Sequence, residues 1–259
     1  MELSELENLI HKDTYNRKEI IDFAKNYPLE NHIIYPCQTG HFYVEKDYPE
    51  NVYDPKRSIV LGHGWDHKSI ALMGKYVIPG STVLDIGAHI GSLTNPLCDL
   101  VGPTGQVIAF EPILSTFSEL CWNMALNRRT NVKLYWAAIG AENTFISSRK
   151  LGLDSPETSE FNVQILSLDS LHLNNISFIK VDIESMEDQF ILGAQETLKR
   201  CRPALLIELM GGHSYDTATP EIKEAIDYRI QLLEQLDYKV YPLGGHDYLA
   251  LPKIAISNT

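Results

Sequence analysis

The chain has 259 residues, with 34 acidic and 22 basic side chains and a formal net charge of -12. A hydrophobic share of 44% with 22% charged residues marks a globular chain with a sizeable core, and excludes a disordered one. The acidic balance argues against a nucleic-acid partner, which would need clustered Lys and Arg; Arg128-Arg129 and Lys199-Arg200-Cys201-Arg202 are short clusters that suit helix ends.

Residues 2–26 carry Leu3, Leu6, Leu9, Ile10, Ile20 and Ile21 at helical spacing. His41 to Val44 reads as a short strand of a small hairpin, and 45–64 as loop, with Pro49, Pro55, Gly62 and Gly64. A helix is expected from Asp66 to Val77, stopped by Pro79-Gly80. From there strands alternate with helices: strand 82–86, helix 91–101, strand 107–110, helix 113–127, strand 132–137. An irregular stretch, 142–160, precedes strand 176–181, helix 186–200, strand 204–209 and helix 220–236. Strands 238–241 and 247–251 lie too close together for a crossover, so they form an antiparallel finish. The alternation predicts an α/β fold, a mostly parallel sheet covered by helices on both faces. Two parts are expected: an N-terminal extension over 1–64 and a main domain over 65–259.

Cys37, Cys98, Cys121 and Cys201 form no C-x-x-C pair, so neither structural zinc nor a disulfide framework is expected. The acidic start lacks a signal peptide's basic and apolar regions, and no apolar run could span a bilayer. A soluble, cytoplasmic protein is the expectation.

Val83-Leu84-Asp85-Ile86-Gly87-Ala88-His89-Ile90-Gly91 is an apolar strand running into a glycine turn that opens a helix. Such a turn lets a ligand approach the backbone outside the strand's carboxyl end. The nicotinamide fingerprint has Gly where this chain has Asp85, and a carboxylate there repels a pyrophosphate but suits a cationic ligand. Glu111 ends the next strand, where a carboxylate can accept hydrogen bonds from both hydroxyls of a ribose; it could equally stabilise the following helix dipole.

Asp182 and Glu184 follow one strand, Glu208 ends the next, and His213 follows the Gly211-Gly212 turn. If the strands are neighbours, the four converge at the sheet's carboxyl edge as a general-base, metal or hydroxyl-binding site. Asp182 and His213 are the base candidates, with Glu184 and Glu208 positioning the acceptor or cofactor. Asp182, Glu184 and Glu208 are oxygen donors suited to Mg²⁺ or Mn²⁺. Glu208 could instead cap backbone amides, and His213 could be an ordinary loop histidine.

These motifs, with Leu168-Asp169-Ser170-Leu171, Phe178-Ile179-Lys180-Val181-Asp182-Ile183-Glu184, Leu192-Gly193-Ala194 and Pro203 to Glu208, resemble the FkbM family of S-adenosylmethionine-dependent methyltransferases over roughly 65–250. The family usually has Gly at Ser185 and Asn at His89. The resemblance implies a class I methyltransferase fold with seven strands. It places Asp85 and Gly87 at the methionine part of the cofactor, with His89 and Thr94 as added contacts. Glu111 falls at its ribose and Ala137 and Ala138 near the adenine, and Ala88, Gly91 and Pro112 are further cofactor-binding candidates. Asp182 would also touch the cofactor. The implied reaction is O-methylation of a sugar hydroxyl in a glycan, a deoxyhexose such as rhamnose leading, or of a polyketide or other small natural product. Trp65, His67, Lys68 and Tyr43 are candidates for an acceptor-binding lid, and neighbouring glycosyltransferase domains would support the glycan reading if the chain is part of a larger enzyme. A nicotinamide-dependent oxidoreductase and an inactive binding module are the rival classes.

Overall fold

The computed structural model describes residues 3–49, 51–52, 54–151, 161–183, 186–209 and 215–253. In chain order, helices α1 (Leu3–Leu9) and α2 (Arg17–Lys25) lead into a hairpin of β1 (His32–Cys37) and β2 (Gly40–Glu45). Helices α3 (Pro55–Val60) and α4 (His67–Tyr76) follow, then β3 (Thr82–Ile86), α5 (Thr94–Val101), β4 (Gln106–Phe110), α6 (Leu114–Leu126) and β5 (Val132–Tyr135). A small sheet is built from β6 (Ala138–Ile139), β7 (Thr144–Ser147) and β8 (Asn162–Leu166). The chain ends with β9 (Ile176–Val181), α7 (Glu187–Gly193), α8 (Gln195–Cys201), β10 (Ala204–Glu208), α9 (Pro220–Gln235), β11 (Tyr238–Gly244) and β12 (Asp247–Pro252).

The main sheet has seven strands in the order β11-β12-β10-β9-β3-β4-β5. Strands β10, β9, β3, β4 and β5 are parallel to one another, and β12 runs antiparallel to both β10 and β11. The central strands are apolar on both faces because both are covered. Val83, Val107, Leu134 and Phe178 point to one side, where α1, α2, α5 and α6 pack. Leu84, Ile108, Ile179 and Leu205 point to the other, with α7, α8 and α9. Each such side chain, fully removed from water, stabilises the fold by about 1.5–3 kcal/mol. The strand order reverses between β3 and β9, which opens a crevice at their carboxyl ends.

Several expected boundaries shift. The helix expected over 2–26 is two helices: Asn16 takes the left-handed conformation (φ 49), and Ile10 leaves the first helix to bridge Leu134 of β5. Leu6, Leu9, Ile20 and Ile21 thereby share the core of β5 and α6. The expected loop 45–64 contains α3, whose N-cap Asp54 accepts from the Arg57 amide and whose first residue is Pro55. The strand expected over 132–137 stops at Tyr135, and the chain re-enters as β6 in a second sheet. The irregular stretch includes β7, with 152–160 outside the described residues. The helix expected over 186–200 divides at Ala194, just after Gly193, where a Cβ would lie 1.9 Å from the Gly140 carbonyl oxygen.

Candidate functional site

A cavity of about 660 Å³ opens at the carboxyl edge of the main sheet, within the range of small-molecule sites. Its walls come from the segments after β3, β4, β5 and β9, the end of β10, and the turn before β12. Strand order therefore sets out the contents laterally. Glu111, Pro112, Ala137 and Ala138 lie on the β4–β5 side, and Asp182, Glu208 and His246 on the β9–β12 side.

The turn after β3 is held by its own backbone. Gly87 and Ala88 both donate to the Phe110 carbonyl at 3.0 Å. Gly87 has φ +80, and a Cβ there would lie 1.8 Å from the Asp182 carbonyl oxygen, so no other residue fits between β3 and β9. His89, also in the left-handed region (φ 51), donates its amide to Glu111 Oε2 at 2.9 Å, and Ile113 donates to Glu111 Oε1 at 2.9 Å. Glu111 thus ties the two turns together, which fulfils the helix-end role as well. Each carboxylate oxygen accepts one bond and retains capacity for another, and Glu111 lines the cavity. Burial pushes its carboxyl up to about 7, against the two amides and Lys180.

Asp85 and Gly91 lie behind the wall rather than in it. Asp85 is fully buried; its Oδ2 accepts from the Thr94 hydroxyl at 2.6 Å, and its Oδ1 faces the Lys180 ammonium at 3.6 Å. Burial raises its pKa against both partners. The sequence expectation had Asp85 open to a cationic ligand; Lys180 already stands as its counter-charge. Gly91 (φ +90) allows close packing, since a Cβ would run into Met124 and Leu120 of α6.

Lys180 is the principal residue that sequence reasoning passed over. It lines the cavity floor, donates to the Gly87 carbonyl at 2.7 Å, and stands 3.4 Å from Asp182. Burial opposes its charge, but the Asp182 and Asp85 carboxylates outweigh it and raise its pKa. The available signal was a lysine inside the apolar run Ile176–Val181, where a cation must find partners.

Of the expected lid residues, Trp65 lines the cavity, joined by Asp54 and Pro55 from the start of α3. Tyr43 instead packs edge-on against Trp122, with its amide bonded to Asn123, while His67 and Lys68 are exposed on the first turn of α4. Glu208 lines the cavity with His246. Glu184 and His213 lie outside the described residues.

Among the described residues, two groups bring three ligand atoms within 4.8 Å of one another: His32, Glu45 and Glu119, and Glu208, His246 and Asp247. Lys56 stands 2.8 Å from both Glu45 and Glu119, so a cation already serves the first. The second holds a histidine–carboxylate pair, His246 Nε2 to Glu208 Oε2 at 3.6 Å. Neither contains Asp182, which pairs with Lys180; Glu208 belongs to the second, and the described residues do not bring it together with Asp182 as a three-ligand set.

A cavity of this size with an acidic group at one wall, small alanines beside it and a glycine turn that admits close approach suits an adenosine-bearing cofactor. No curated protein sequence matches the chain. Among solved structures, a transferase-class protein of Pyrococcus horikoshii has 17% identity and a TM-score of 0.52, over 85% of this chain and 71% of that one. TYW2 of P. horikoshii, solved with MeSAdo, has 17% identity and a TM-score of 0.50, over 85% and 70%. An FkbM methyltransferase from Methylobacillus flagellatus has 15% identity and a TM-score of 0.47; 96% of this chain aligns, spanning 57% of that longer one. At these identities the two P. horikoshii structures speak for the shared class I methyltransferase fold alone. The model of the methyltransferase FkbM domain matches residues 85–240, more than half of the chain. The chain therefore belongs to the FkbM family of S-adenosylmethionine-dependent methyltransferases.

Proposed function

We propose that the protein transfers the methyl group of S-adenosylmethionine to a hydroxyl of a sugar, with a deoxyhexose glycoside such as a rhamnoside as the first candidate acceptor. The observation that carries this reading is that one cavity joins Glu111 to Trp65, Asp54, Asp182 and Glu208. When bound, the cofactor supplies an electrophilic methyl group on a sulfonium.

The chain's own residues provide the rest. Glu111 accepts hydrogen bonds from the ribose hydroxyls, and Pro112, Ala137 and Ala138, which line the same cavity, give the adenine apolar contacts. Gly87, Ala88 and His89 form the turn beside the methionine part, and Lys180 holds that turn through the Gly87 carbonyl. Asp85 acts from behind by anchoring Lys180. On the acceptor side, the Trp65 ring offers an apolar face, and Asp54, Asp182 and Glu208 offer acceptors to hydroxyls, a combination that matches a sugar ring. The protein's contribution to the displacement is alignment of donor and acceptor and removal of the acceptor proton. Asp54 and Pro55 bring the 1–64 segment into the acceptor wall, in keeping with a lid role.

The test is release of S-adenosylhomocysteine from S-adenosylmethionine with a panel of deoxyhexosyl glycosides and polyketide alcohols, with and without chelator. Release with a rhamnoside supports the sugar reading. Release with polyketide alcohols alone moves the acceptor to small natural products, and chelator sensitivity would bring a metal into the site.

A further inference from the structure

We propose that His246, with Glu208 behind it, is the group that takes the proton of the acceptor hydroxyl. This rests on the O-methylation reading above and names its base. His246 occupies the turn between β11 and β12, and its Nε2 stands 3.6 Å from Glu208 Oε2. Both side chains line the cavity, on the same wall as Asp182.

The placement follows from topology. Parallel strands bring their ends to the carboxyl edge, but β12 runs antiparallel, so its beginning lies there. Glu208 pairs with Asp247 across the β10–β12 ladder, and the Leu209 amide donates to the His246 carbonyl at 3.1 Å. The turn is therefore bonded to the strand that carries Glu208. An irregularity in β11 between Pro242 and Gly244, followed by Gly244 and Gly245 at positive φ, bends the hairpin tip at this point. Such irregularities re-aim side chains and recur beside active sites.

The charged surroundings favour the imidazole over the nearby carboxylate. Asp182 is held by the Lys180 ammonium at 3.4 Å. His246 is faced by Glu208 from β10 and Asp247 from β12, and Asp247 in turn feels Asp66 at the start of α4, Asp182 after β9 and Lys180 on β9. The near groups are carboxylates, which stabilise an imidazolium as it forms. With Nε2 turned toward Glu208, Nδ1 is the nitrogen that accepts. As the O–CH₃ bond forms and the S–CH₃ bond breaks, the sulfonium becomes a neutral thioether. The hydroxyl proton moves to His246, and Glu208 balances the new charge. The His246 side chain is 39% exposed, so the proton can pass to solvent before the next turnover. An imidazole oriented by a carboxylate is the usual form of a positioned base.

The experiment compares the full chain with His246→Ala and His246→Gln, using an acceptor that the wild type methylates. S-adenosylhomocysteine affinity, measured by calorimetry, is expected to stay unchanged in both variants, which also shows that they fold. Turnover is expected to fall by about 10²-fold or more. Added imidazole is expected to restore part of it in His246→Ala but not in Asp182→Asn. Retained turnover in either variant overturns the proposal, as does a loss that imidazole leaves untouched. Loss of wild-type turnover in chelator, recovered by Mn²⁺ alone, would make His246 a metal ligand and overturn it as well. A wild type that binds S-adenosylhomocysteine but methylates no hydroxyl brings down the O-methylation reading, and the base assignment with it.

Discussion

Two lysines in this protein each stand between two carboxylates, and the pairs behave differently. Lys56 lies at the seam where the N-terminal hairpin meets α6, 2.8 Å from both Glu45 and Glu119. Glu119 also accepts from the Tyr27 hydroxyl at 2.9 Å and faces His32 at 3.6 Å. Lys180, at the cavity floor, keeps its carboxylates at 3.6 and 3.4 Å and gives its short bond to the Gly87 carbonyl. Burial opposes the charge of Glu119 and Asp85 alike. At the seam His32, Lys56 and Tyr27 overcome it, and the Glu119 pKa falls below its ordinary value. At the floor burial prevails, and the Asp85 pKa rises. The same residue types thus serve cohesion at the seam, where several partners converge on one carboxylate. At the floor the lysine is shared with a backbone turn, and of its two carboxylates Asp182 is the one that lines the cavity.

The largest effect is expected at the seam. Lys56→Met strands Glu119, and should cost about 3–5 kcal/mol of stability in urea denaturation. A loss below about 1 kcal/mol would show that the seam is no stronger than a surface pair. The Glu119 contribution has a sign. With its folded pKa lowered, the stabilisation is present above the ordinary carboxylate range and is lost as pH falls through it. Wild-type stability should therefore drop on acidification more steeply than that of Glu119→Gln.

Lys180→Met should leave the fold largely in place, because Asp85 can take a proton and the Asp182 side chain is 41% exposed. Turnover should fall about 10²-fold through displacement of the Gly87 turn. Steady-state kinetics that show only a raised KM would assign Lys180 to binding alone.

Glu111→Gln should weaken S-adenosylhomocysteine binding by about 2 kcal/mol, since charged hydrogen bonds to two hydroxyls become neutral ones. Its pKa, raised to about 7 in the folded protein, gives the opposite sign to Glu119. The free protein holds this proton where the unfolded chain does not, so stability falls as pH rises toward 7. Ribose hydroxyls favour the ionised carboxylate, so binding should tighten as pH rises through about 7. A flat calorimetric pH profile in the wild type would remove Glu111 from the ribose. The smallest change is Thr94→Val, which takes the 2.6 Å hydroxyl bond from Asp85 and should cost about 1.5 kcal/mol in thermal unfolding, with affinity unaltered.

How much of this was legible can be judged from particular residues. The strand–turn–helix at Val83 to Gly91 and the strand-end Glu111 were readable because a glycine turn and a terminal carboxylate are local features of one strand each. The strand alternation and the short final loop disclosed the mostly parallel sheet and its antiparallel finish in the same way. Asp85 illustrates the limit. Its position was right, but its partner Lys180 lies on β9, far away in sequence, and only the pairing of β3 with β9 brings them together. Tyr43 was drawn toward the cavity by composition, yet the hairpin turns it to Trp122.

By itself, then, the sequence determined the α/β architecture and the glycine turn and strand-end carboxylate, because periodicity and turn chemistry act over a few neighbouring residues; membership of the FkbM family was legible through the resemblance of those motifs. The tertiary structure alone decided which carboxylates pair with which cation, and that His246 joins Asp182 and Glu208 on the β9–β12 side of the cavity. Those outcomes depend on strand order and direction. An antiparallel β12 delivers its first residue, not its last, to the edge where the chemistry is, and no local pattern encodes that.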